Sequence, residues 1–101
     1  MEIQKIRDVL NPTELEKKHT PVIERLGEGR VLVKVGIIPY VMEKEHYIEW
    51  IELYRNNELL ERRNLNPEDL PEAEFLVEDL KEEDILMARE LCNLHGLWES
   101  V

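Results

Sequence analysis

The chain has 101 residues, of which 43% are hydrophobic and 36% charged, with a formal net charge of -10 at pH 7. That length gives one domain with one core, over residues 1–101, and the acidity excludes a nucleic-acid partner and disfavours an anionic membrane surface, because both need a basic face. The lone cysteine, Cys92, rules out an intramolecular disulfide and fits a reducing, cytoplasmic location. Neither an apolar signal sequence nor a membrane-spanning run of roughly 18 apolar residues is present. A surface rich in Glu, Lys and Arg with a single Gln leans towards a thermophilic source.

In chain order, Ile3, Ile6, Val9, Leu10 and Leu15 are spaced more like a helix or a wrapped arm than a strand. Thr13-Glu14-Leu15-Glu16 has the form of a capping box, so a short helical turn is predicted after Pro12. From His19 the pattern changes to short apolar runs between turn residues. Pro21 to Glu24 and Val31 to Val35, joined by Gly27-Glu28-Gly29, read as a hairpin. His46 opens the strongest strand signal, Tyr47 to Tyr54, where a change of inward phase between Trp50 and Ile51 implies a bulge or burial on both faces. Further strands are predicted at Leu59 to Leu65 and Ala73 to Val77, with a final short edge strand at Leu97 to Val101. Ile85 to Cys92 has helical propensity, but its place among short strands makes it β. The sum is an all-β antiparallel sandwich of about seven strands with a short N-terminal arm.

Chemistry concentrates near the C-terminus, where Cys92 and His95 sit three apart. A thiolate and an imidazole are both good ligands for transition metals, so Cys-x-x-His can give two bonds to one ion. The pair alone is a weak signal, since a buried thiol beside an incidental histidine is the commoner case. The other two histidines, His19 and His46, lie in charged segments upstream. Trp50 and Trp98 read as core residues.

Four segments together carry a resemblance. Glu16-Lys17-Lys18-His19-Thr20-Pro21-Val22-Ile23 is followed by Glu45-His46-Tyr47-Ile48-Glu49-Trp50-Ile51-Glu52-Leu53, then by Pro71-Glu72-Ala73-Glu74-Phe75, and finally by Ala88 through Trp98. In order and spacing they resemble the superoxide reductase family, which includes neelaredoxin and the iron domain of desulfoferrodoxin. No four-cysteine rubredoxin-like segment precedes them, so the resemblance is to the single-iron form. It implies an immunoglobulin-like β-sandwich with a mononuclear non-haem iron, which reduces superoxide to hydrogen peroxide with electrons from a donor such as rubredoxin. It also implies a homo-oligomer, either dimer or tetramer.

By position, the resemblance makes His19, His46 and His95 equatorial ligands, Cys92 the axial thiolate and Lys18 the catalytic lysine. Two positions depart from the family. Tyr40 stands where a fourth histidine belongs, as a replaced or missing ligand. Lys17 stands where the family has glutamate, so that Glu16, one residue further away, reaches the open position only if the loop carries an extra residue. The alternative is a non-catalytic β-sandwich whose metal site has decayed.

Overall fold

The computed structural model describes residues 1–101. In chain order the elements are β1 (Ile3–Gln4), α1 (Glu14–His19), β2 (Pro21–Gly27), β3 (Arg30–Val35), β4 (Ile48–Arg55), β5 (Glu58–Asn64), β6 (Glu72–Leu76), β7 (Leu86–Cys92) and β8 (Gly96–Glu99). They form a five-stranded sheet in the order β1-β8-β7-β4-β5 and a three-stranded sheet in the order β2-β3-β6. This is the all-β sandwich expected.

Alternation builds the core. Val31, Val33 and Val35 of β3 point inward beside Ala73 and Phe75 of β6, and they meet Ile51 and Leu53 of β4 and Ala88 and Cys92 of β7. Burying a Val, Ile or Phe side chain contributes roughly 1.5–3 kcal/mol, so this inner layer dominates stability. In β7 the inward residues are Ala88, Glu90 and Cys92, a period of two that wins over the helical propensity of the segment because β4 and β8 hydrogen-bond it on both sides. Strand β4 is buried on both faces at Ile51, Glu52 and Leu53. Its bulge falls slightly earlier than the sequence suggests, between Ile48 and Trp50 in the pairing with β7, and a second register shift follows at Leu53/Tyr54 opposite β5.

Four expectations are corrected. The N-terminal arm contains a strand, because Ile3 and Gln4 pair in parallel with Leu97 and Trp98. That parallel pair makes the sandwich not purely antiparallel, and it places β8 inside its sheet instead of at the edge. His46 and Tyr47 precede β4 in a turn and do not open the strand.

Candidate metal centre

The four candidate ligands are positioned by three local devices, one for His19, one for His46 and one shared by Cys92 and His95. The first is the capping box of α1: the Thr13 side chain accepts from the Glu16 N–H at 3.1 Å while the Glu16 carboxylate accepts from the Thr13 N–H at 2.8 Å. The helix lasts six residues and ends on His19, whose Nδ1 hydrogen-bonds the Leu15 carbonyl one turn back at 2.8 Å. A carbonyl accepts only, so Nδ1 carries the proton and the lone pair lies on Nε2. That atom is buried and has no hydrogen-bond partner. The ring is further fixed by stacking on Trp98, with centroids 5.3 Å apart.

Tyr40 arrives on the loop after β3. Gly36 has φ of +96°, and its amide donates to the Thr20 carbonyl at 3.0 Å while the Ile37 amide donates to the Lys17 carbonyl at 2.7 Å. A Cβ at Gly36 would collide with the Ile38 carbonyl and come within 2.9 Å of that of Lys18, so glycine lets the loop pack on the end of α1. Buried at 7% exposure, Tyr40 sits edge-on to the rings of His19 and His46, each 5.4 Å away between centroids. Its hydroxyl lies 3.4 Å from Cys92 Sγ.

His46 sits in a tight turn closed by paired Glu43 and His46 backbone bonds. Asn93 ties that turn to the β7–β8 hairpin, accepting from the Tyr47 amide at 2.9 Å and donating to the Glu45 carbonyl at 2.9 Å. The hairpin loop is Asn93-Leu94-His95, with Cys92 paired to Gly96 and Gly96 at φ of +86°. The His95 carbonyl accepts from Gln4 at 2.6 Å and from the Trp98 indole at 3.1 Å, so β1 and the core tryptophan both hold the Cys-x-x-His loop.

Together these devices gather one donor atom each from His19, His46, Cys92 and His95, all within 4.8 Å of one another. Two donors bound to a first-row ion at about 2.0–2.3 Å are at most about 4.6 Å apart, so the set closes on one ion with a shift of a few tenths of an ångström. His46 Nε2 and His95 Nδ1 are 3.1 Å apart, the separation of adjacent donors about 2.1 Å from one ion at a right angle. Cys92 Sγ lies 3.8 Å from His95 Nδ1. The unpartnered Nε2 of His19 gives an independent reason to place a cation here, since a buried lone pair without a donor costs free energy until something occupies it.

The local electrostatics favour the ligating protonation states. Burial pulls His19 below its ordinary value, against the Leu15 hydrogen bond and with help from Lys18, so its imidazole is neutral. Burial pushes the Cys92 thiol up, but the Tyr40 hydroxyl, the backbone N–H groups of His95 and Leu94 and the His95 ring outweigh it, leaving the thiol below its usual range. Burial, Cys92 and the carboxylates of Glu90 and Glu43 hold the Tyr40 phenol far above its usual value, so the phenol keeps its proton. Behind the cluster, Glu90 is fully buried with neither carboxyl oxygen hydrogen-bonded. Burial, with Cys92 adding to it, pushes its pKa up to about 10, so it is neutral at pH 7.

A cleft of about 420 Å³ opens onto His19, His46, His95 and Tyr40 and has Lys18 on its wall. Lys18 is exposed. Glu16 is elsewhere: its carboxylate is held by the backbone amides of Thr13 and Arg7, at 2.8 and 3.3 Å, on the side of the N-terminal arm. The capping box seen in the sequence is what takes it from the open position. Glu14 and Glu43 line the cleft instead, and sequence reading missed both. Glu14 lies four residues before Lys18, a spacing that puts two helical residues on one face and was available as a signal.

A small β-sandwich holding three histidines and one cysteine at one end defines a class of mononuclear metalloproteins. The sequence profile of desulfoferrodoxin matches residues 11–101, and the chain belongs to that family. A desulfoferrodoxin homologue of Archaeoglobus fulgidus is 46% identical over 96 residues, covering 95% of this chain and 72% of that protein. The superoxide reductase of Pyrococcus horikoshii is 40% identical over 98 residues, covering 83% of this chain and 84% of its own. The crystal structure of the superoxide reductase from Treponema pallidum superposes with a TM-score of 0.75 at 30% identity, covering 100% of this chain and 75% of that one. The chain spans 62% of the length of a desulfoferrodoxin homologue from Methanothermobacter thermautotrophicus. The family binds a mononuclear iron, and the His/Cys cluster is a donor set able to hold it.

Proposed function

We propose that this chain, as one domain over residues 1–101, is a superoxide reductase whose single non-haem iron is held by His19, His46, His95 and Cys92. The observation that carries the proposal is the convergence of these four donors from three separate loops or ends, with the His19 tautomer already set for ligation by Leu15. The net reaction takes one superoxide, one electron and two protons to hydrogen peroxide. An iron held by these residues would supply the electron, and an external donor protein of the rubredoxin kind would restore it. Cys92 provides an anionic sulfur, and the neutral imidazoles keep the ferrous state accessible.

The chain's own residues then do three things. Lys18 places positive charge on the cleft wall of a protein whose net charge of -10 otherwise repels an anion, so it focuses superoxide locally. Leu15, Pro39 and Val41 narrow the approach. Tyr40, at the position of the absent fourth histidine, fills the space between His19 and His46. Assembly into dimers or tetramers belongs to the same proposal and is read by light scattering. No helix in the chain is long and apolar enough to cross a membrane.

Iron-loaded, reduced protein should consume superoxide in pulse radiolysis without evolving oxygen. Lys18→Ala should slow that second-order reaction several-fold and flatten its salt dependence while leaving the melting temperature unchanged, because exposed lysines contribute little to stability. Oxygen evolution, or no reaction with superoxide, would overturn the reading.

A further inference from the structure

We infer that Tyr40 is a positioning residue that acts through Cys92: its hydroxyl donates a hydrogen bond to the Cys92 sulfur and would weaken that sulfur as an electron donor to a metal held there. The inference rests on the iron site proposed above and goes beyond it, by giving the residue at the missing-histidine position a role outside the ligand set.

The geometry supports this role in three ways. A buried phenol O–H requires an acceptor, and the one the structure provides is Cys92 Sγ at 3.4 Å, an ordinary separation for a bond to sulfur. Once sulfur is metal-bound it is a thiolate without a proton, so the phenol is the only member of the pair able to donate. The ring cannot easily turn away, because it is 7% exposed and wedged edge-on between His19 and His46, while Gly36 anchors its loop on α1.

Drawing sulfur electron density into a hydrogen bond lowers the energy of the sulfur lone pairs. Such a bond favours the ferrous over the ferric state and moves sulfur-to-iron charge transfer to higher energy; hydrogen bonds to ligating sulfur are a known lever on potential. A tyrosine bound directly to the iron as phenolate has the opposite effect on the potential. A hard anionic oxygen stabilises ferric iron, and its removal raises the potential. The sign of one shift therefore separates the two roles.

The test compares iron-loaded wild-type protein with Tyr40→Phe, which keeps the ring and removes only the hydroxyl. The expected result is a shift of the ferric sulfur charge-transfer band to longer wavelength together with a lower midpoint potential, at unchanged iron content. A raised potential with loss of a visible band would make Tyr40 a ligand and overturn the inference, and an unchanged spectrum and potential would overturn it equally. A second measurement separates the phenol from the backbone N–H groups of His95 and Leu94, which also reach the sulfur: the deuterium-oxide shift of the sulfur–iron stretch, read by resonance Raman, should be smaller in Tyr40→Phe than in wild type, and equal shifts contradict the hydrogen bond from Tyr40. If no sulfur-to-iron band forms in wild-type protein, the iron site itself falls and the inference with it. If the band forms but ignores the hydroxyl, only the inference falls.

Discussion

The outer face of the five-stranded sheet and the end of the sandwich beneath the cleft both bury ionisable side chains, and they treat them in opposite ways. On the outer face a ladder of partners crosses from β5 to the N-terminal arm. Arg62 grips Glu52 at 2.7 and 2.9 Å, Tyr54 donates to Glu52 at 2.9 Å, and Arg89 reaches the Tyr54 hydroxyl at 3.3 Å. Arg89 and Lys5 then share Glu99 at 3.0 Å each. Trp50 lies under the Arg62 guanidinium at 4.1 Å and Tyr54 under that of Arg89 at 4.9 Å. At the other end, His19 Nε2 and both oxygens of Glu90 have no partner. Glu52 and Glu90 are almost equally buried, at 4% and 0% exposure, yet one is saturated and the other is bare. A saturated buried charge is a structural element; bare polar atoms collected around one thiol mark the place where the protein holds something other than itself.

This contrast is broken most severely by cutting the ladder at its buried end. Arg62→Ala strands the Glu52 carboxylate without its guanidinium, and the folded state should lose roughly 2–4 kcal/mol in urea denaturation while iron content stays constant. A loss below about 0.5 kcal/mol would mean that water replaces the arginine and the ladder is decoration.

Glu90 should respond with the opposite sign. Glu90→Met keeps the volume and removes a neutral carboxyl that meets no partner, so the metal-free protein should gain about 1 kcal/mol at pH 7. Destabilisation by a similar amount would show that Glu90 is satisfied in solution and that the contrast with Glu52 is false.

The smallest effect lies at the arm end of the ladder. Burial pushes Glu99 up, but Lys5 and then Arg89 hold it below the usual carboxylate range. A depressed folded value means that its stabilisation is present above the unfolded pKa of about 4.3 and is lost as pH falls through the folded value. Glu99→Gln should therefore cost under about 1 kcal/mol at pH 7, because Lys5 is half exposed, and the difference from wild type should shrink as pH falls through the folded value. A difference that persists in acid would assign the effect to packing.

Much of this was legible in the sequence because the signals are local. The Thr13/Glu16 capping box, the alternation of Val31, Val33 and Val35, and the Cys92-x-x-His95 spacing each declare themselves within a few residues. The misreadings share a cause: they depend on contacts that spacing does not encode. Ile3 and Gln4 become a strand only because β8, more than ninety positions later, offers an edge in parallel register. His46 leaves β4 because Asn93 draws its turn towards the hairpin. Glu16 falls near the open position by its place in the motif, although the same capping box that predicts α1 also binds its carboxylate. That the Tyr40 hydroxyl meets Sγ fifty-two residues away follows from how the Gly36 loop packs, and no pattern in the chain announces it.

The central claim is that one metal sits on three imidazoles and one thiolate at the bare end of the sandwich. X-ray absorption at the iron edge of the loaded protein tests this most directly, with Cys92→Ser as the control. The account predicts about one iron per chain with one sulfur neighbour at about 2.3 Å, which disappears in the variant together with most of the bound iron. An iron surrounded only by nitrogen and oxygen, or a sulfur signal that survives Cys92→Ser, would contradict it.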